Sequence, residues 1–171
     1  MSVVINGSAG VTTNSGAVYN GISAGTAIAS TSGTSIDFTS IPSWVKRITV
    51  MFSGVSTNGT SIVQVQIGSG SLTTTGYVSA AQNSGSGNTS TTGFAVTSTV
   101  SASNSMSGAL VLFLVTGTTW VSSGSILQIA AGSVAACGGV LALGGTLDRV
   151  RITTVNGTDT FDAGSINILY E

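Results

Sequence analysis

The sequence predicts an all-β fold: an antiparallel β-sandwich, jelly-roll-like, with a short N-terminal arm. Three observations lead there. Ser, Thr and Gly fill 28, 25 and 24 of the 171 positions, while charged residues make up only 5%. Ordinary soluble domains carry about 25% charge. The apolar runs repeat with a period of two, which places successive side chains on opposite faces of a strand. Turn dipeptides then punctuate the runs, with Asn-Gly at positions 6–7, 20–21, 58–59 and 156–157. Asn-Gly suits tight turns that need positive φ.

Along the chain, residues 1–30 are poorer in bulky apolar types and read as an arm or attachment segment, with short strands near 3–5 and 17–20. The sandwich domain spans 31–171. It opens with a strand near 34–39, and Pro42 sets a bend before the next ladder. Ile48, Val50 and Phe52 alternate with Thr49, Met51 and Ser53, defining a half-buried strand over 46–53. Val63, Val65 and Ile67 alternate with Gln64 and Gln66 and define another over 61–68. Further strands fall near 74–80, 92–98, 107–116 and 125–131, with a loose loop at Asn83–Asn88. The stretch 133–144 reads equally as a strand or a Gly-rich loop. Val150 and Ile152 between Arg149 and Arg151 mark a strand over 147–154. Ile166, Ile168 and Tyr170 mark the last, over 164–170. Lys, Glu and Arg are too scarce to solvate even one amphipathic helix.

Composition also narrows the chemistry. With no His and one Cys, a zinc site or a Cys–His nucleophile has no ligand or base to draw on. No cofactor-binding motif is present: Gly68-Ser69-Gly70 and Gly138-Gly139 lack the following helix and lysine of a phosphate cradle. Four basic residues give no electrostatic footprint for nucleic acid. Ala109–Val115 is too short to span a bilayer, and glycines and Gln128 interrupt Ile126–Leu143, so no membrane insertion is expected. No secretory signal is read at the amino terminus. Cys137 reads as a small buried hydrophobe. Asp159 and Asp162 read first as a solvated turn, with a weak calcium site as the alternative. These features point away from an enzyme.

Two segments resemble a known family. Thr34–Val50 (TSIDFTSIPSWVKRITV) is similar to a segment common in proteins of tailed bacteriophages. So is the ending, Leu147–Thr154 (LDRVRITT) followed by Asn156–Glu171 (NGTDTFDAGSINILYE). The chain over about 30–171 resembles the carboxy-terminal domain of phage tail fibre and other virion appendage proteins. The resemblance implies a β-sandwich displayed on the virion, often as a homotrimer, without catalysis. The particular expectation is a tail fibre or tail-tip subunit that contacts the host surface. A capsid decoration or head-fibre subunit, and a carbohydrate-binding module, are the alternatives. Many tail fibres carry a long repetitive shaft before such a domain. Here Met1 stands about 30 residues upstream, which suggests a small subunit docked onto another virion protein.

The resemblance also implies that the middle, about 70–145, varies among relatives. Any contact with a host-surface glycan is then expected on the loops near Tyr77–Asn88 and Thr116–Ser123. Tyr77, Asn83 and Trp120 are the candidates, since a ring beside hydroxyl and amide groups suits a sugar. For Tyr77 and Trp120, core packing stands beside ligand stacking as an open alternative. Arg149 and Arg151 share one strand face in a chain with almost no charge. They read as a solvated face or as a subunit interface.

Overall fold

The structure, a computed structural model, describes residues 4–6, 10–12, 18–19, 21–98 and 100–171. The first strands are β1 (Val4–Asn6), β2 (Gly10–Thr12), β3 (Val18–Tyr19), β4 (Ser23–Ala24) and β5 (Ile28–Ala29). Then come β6 (Ser35–Thr39), β7 (Arg47–Thr57), β8 (Val63–Ser69), β9 (Ser71–Leu72) and β10 (Val78–Gln82). β11 (Gly87–Ser90), β12 (Phe94–Ala95), β13 (Met106–Thr116) and β14 (Thr119–Gln128) follow. The chain closes with β15 (Ser133–Ala142), β16 (Arg149–Thr154) and β17 (Phe161–Tyr170). Among the described residues there is no helix, so none is long and apolar enough to cross a membrane.

The fold is an antiparallel β-sandwich. A nine-stranded sheet runs in the order β11-β10-β15-β14-β13-β7-β17-β4, with β5 also paired to β17. A five-stranded sheet runs β12-β8-β16-β6, with β9 paired to β8. β1, β2 and β3 form a third, small sheet. The arm expected over residues 1–30 lies partly outside the described residues. Its described part is not all separate, because β4 and β5 lie along β17 at the border of the large sheet.

Between the two large sheets lies the core. Ile48, Val50 and Phe52 of β7 face it, with Leu110 and Leu112 of β13 and Ile166 and Ile168 of β17. From the other sheet come Ile36 and Phe38 of β6, Val63, Val65 and Ile67 of β8, and Val150 and Ile152 of β16. Burying each such side chain contributes about 1.5–3 kcal/mol, so the period-two rows are what hold the sheets together.

Four differences from the sequence reading have physical causes. β8 is not half-buried but buried on both faces: Gln64 and Gln66 lie beneath the segment Ser90–Gly93. Gly93 permits that approach, since a Cβ there would fall 2.7 Å from the Gln64 side chain. The stretch 92–98 holds only the two-residue β12. The NSGSGN loop is shorter than read, because its end, Gly87–Asn88, opens β11 against β10. Finally, of the stretch 133–144, Ser133–Ala142 is a strand, and Trp120 lies inside another, β14. Gly117, at φ 54°, supplies the positive φ that the tight link between β13 and β14 requires.

Candidate assembly surface

One face of β10, β15, β14, β13 and β7 looks into the core, so the alternate residues form the outer face of the large sheet. Its register can be followed strand to strand. Val78 stands opposite Val140, Val140 opposite Val121, and Val121 opposite Phe113. At the other end of the strands Val134 stands opposite Leu127, with Ile129 just beyond. Between these two ridges runs a low floor. One row is Ala80, Gly138, Ser123 and Val111; the next is Gln82, Ala136, Ser125, Ala109 and Met51.

The ridge side chains, with Val115 of β13, are mostly open to solvent in the single chain, while Met51, Ala109, Val111 and Val121 are half-buried. Val78 is 70% exposed, Val115 60%, Val134 56% and Ile129 53%. No charged residue occurs from Ile48 to Leu147, so β10, β13, β14 and β15 carry none. Arg47, at the start of β7, is ion-paired to Glu171. Isolated exposed apolar residues are ordinary, but a contiguous apolar face marks an interaction site.

The rings expected at a receptor site are elsewhere. Tyr77 is 1% exposed, and Trp120 is 2% exposed within the core. The Tyr77 hydroxyl accepts the Ile67 N–H at 2.8 Å and donates to the Thr73 carbonyl at 3.0 Å. Its ring meets Phe94 edge-on at 4.9 Å between centroids. Burial pushes its pKa up to about 12, partly offset by the Ile67 hydrogen bond. An exposed ring at Tyr77 or Trp120 is therefore corrected: both are structural. Period two should have flagged Trp120, since it continues the inward register of Ser122 and Ile126. Asn83 remains half-buried at a loop. It donates from Nδ2 to the Gln128 side chain at 3.3 Å, and its Oδ1 accepts the N–H groups of Gly85 and Ser86. Trp44 is the partly exposed tryptophan, tilted against Tyr170 at 5.9 Å.

Arg149 and Arg151 point outward from β16 of the five-stranded sheet, and each finds its partner within the chain. Arg151 grips Asp37 of β6 through two bonds of 2.7 Å. Arg149 grips Asp148 at 2.7 and 3.1 Å, which draws that carboxyl below its usual range. Beside them an open polar groove of about 290 Å³ is lined by Gln64, Gln66, Thr92, Arg151, Thr153 and Asn156. Its polar groups largely serve one another: Gln66 donates to the Thr92 carbonyl and Thr153 to the Thr34 carbonyl.

The two aspartates near the end of the chain have separate partners. Asp159 accepts from Asn156 and from the Ser61 N–H, in that order the main causes of its lowered pKa. Asp162 accepts the Ser56 hydroxyl. Cys137 is buried on β15, and burial lifts its thiol pKa to about 11.

The fold is an antiparallel β-sandwich whose larger sheet turns a nearly charge-free face outward. Compared with family models, curated proteins and solved structures, the chain matches none.

Proposed function

We propose that this protein is a non-enzymatic subunit of a tailed-bacteriophage virion appendage, a tail fibre or tail-tip component assembled as a homotrimer. The observation that carries the reading is the uncharged apolar outer face of the large sheet, which a free subunit would leave in water. A second observation agrees with it. The two segments that resemble phage appendage proteins are hydrogen-bonded neighbours, β6 with β16 in one sheet and β7 with β17 in the other. They form a common frame, while the middle of the chain builds β10 to β15. Contact with the host surface belongs to the same reading, but it passes from the buried rings to the exposed hydroxyls of the Asn83–Asn88 loop, Ser84 and Ser86.

Immunogold labelling of intact particles with antibody to this chain tests the proposal. Gold at the tail supports it. Gold over the head favours the capsid-decoration alternative, and particles that never label would sink the virion reading altogether. Pre-incubating host cells with purified protein tests host contact separately: particle adsorption should fall if the subunit reaches the receptor.

A further inference from the structure

We infer that the outer face of the nine-stranded sheet is covered by further copies of this chain, and that this face, not the arginine-bearing one, is the seam of the homo-oligomer. The inference rests on the homo-oligomer proposed above and names where its subunits meet.

Size is the first argument. Four of the strands, β7, β13, β14 and β15, are ten or eleven residues long, and β10 adds five more. At about 4.8 Å between strands and about 3.3 Å per residue, that face spans roughly 700 Å². A stable specific interface takes about 800 Å² from each partner, so this face is close to the size of one such contact, and in a threefold ring two neighbours share it.

Charge is the second argument. In a homo-oligomer each side chain meets side chains drawn from the same set, so a charged face tends to repel itself. A heterologous partner is usually steered and selected by complementary charge. This face carries nothing to complement: its strands hold no charged residue except Arg47, which Glu171 already occupies. Closed symmetry is the usual way to bury such a repeated patch.

Relief is the third. The middle of the floor, Ala80, Gly138, Ser123, Ala136, Ser125 and Ala109, carries only short side chains, with Gln82, Val111 and Met51 toward its edges, so another sheet can approach that middle closely. The ridges of Val78–Val140 and Leu127–Val134 then stand at its two ends.

The arginine face lacks these properties. Arg149 and Arg151 are each held by two bonds to an aspartate of their own chain. Neither needs a neighbour to neutralise it.

Mass measurement on the full chain decides the matter. Light scattering should give a multiple of 16.8 kDa, three times that value for the trimer. Val140→Lys combined with Leu127→Lys should bring the mass down to 16.8 kDa with far-UV circular dichroism unchanged. Both positions are exposed, so one copy tolerates lysine there. Arg149→Ala with Arg151→Ala should leave the mass as it was. If the lysine chain fails to fold, Leu127→Cys supplies the reading instead. Its thiol should react more slowly with a maleimide as protein concentration rises, against the silent background of buried Cys137.

An oligomer that survives the lysine pair, or that dissociates in the arginine pair, overturns this seam while leaving the homo-oligomer standing. A wild-type mass of 16.8 kDa at all concentrations overturns both. The virion location is read independently by the gold labelling.

Discussion

Tyr77 occupies a stretch of Thr, Gly and Ser that gives no local sign of burial, yet its hydroxyl closes two backbone groups inside the core. Replacing it with Phe leaves the Ile67 N–H without its acceptor. An orphaned buried donor costs about 1–3 kcal/mol, so Tyr77→Phe should lower the free energy of unfolding by that amount, seen as a lower urea midpoint at unchanged slope. The same residue predicts a pH dependence. Its folded pKa is raised from 10.0 to about 12, and that of Cys137 from 9.0 to about 11. In the unfolded chain these groups lose their protons first, so the native state binds more protons above pH 9. Stability should therefore hold below pH 9 and fall as pH rises from 9 to 12. The slope should be at most about 1.4 kcal/mol per pH unit for each group. A denaturation midpoint unchanged between pH 8 and pH 11 would show that neither group is sequestered. Arg151 and Asp37 form an exposed pair, and such pairs are worth about 0–1 kcal/mol. Arg151→Ala should accordingly shift the same midpoint very little.

At the scale of elements, the pairing of β7 with β17 is irregular where Gly54 and Gly164 face each other. Both have positive φ, 63° and 90°, and the β17 register shifts beside Ala163. A Cβ on Gly164 would fall 2.5 Å from the Gly54 backbone. Bulges of this kind bend a strand and increase its twist. Gly164→Ala combines a strained φ, costing about 1–3 kcal/mol, with that backbone clash. It should destabilise the fold strongly, seen as a fall of several degrees in thermal midpoint. β15 teaches a different point about elements. Its sequence, SVAACGGVLA, alternates in size rather than polarity: Ala135, Cys137 and Leu141 go inward while Val134, Ala136 and Val140 go outward. With apolar residues on both sides, period two loses its contrast, and strand and loop look alike until the neighbouring strands supply the ladder.

The whole molecule separates its charges from its apolar face. All nine charged residues fall in two blocks, Asp37–Arg47 and Asp148–Glu171, and these blocks build β6, β16, β17 and the start of β7. An association through the charge-free strands gains nothing from Coulomb attraction and loses nothing to screening. The oligomer mass should thus be the same in dilute buffer and in 1 M NaCl, where the Debye length is about 3 Å. Dissociation on adding salt would point instead to the arginine-bearing sheet. Burial of apolar surface is strengthened by excluded salts such as sulfate, so ammonium sulfate should favour the larger species.

The amino-acid sequence by itself determined the fold class, because alternating Val, Ile and Phe can bury one face only as strands, and because Lys, Glu and Arg are too few to solvate an amphipathic helix. It also placed β6, β8, β13 and β16 close to their true limits, since their inward rows are bulky, while β7 runs on to Thr57 and β17 begins at Phe161, beyond the 46–53 and 164–170 read from period two. Only the tertiary structure decided that Tyr77 was buried. That ring sits among Thr, Gly and Ser, whose small side chains let either face turn inward, and the choice fell to the opposing sheet. It likewise decided that Arg149 and Arg151 were already paired, because Asp37 lies far away in sequence and comes alongside only through the β6–β16 register. The apolar face of the large sheet was out of reach for the same reason. Its residues come from five strands, each contributing one to four side chains, and only their alignment across the sheet makes them one surface.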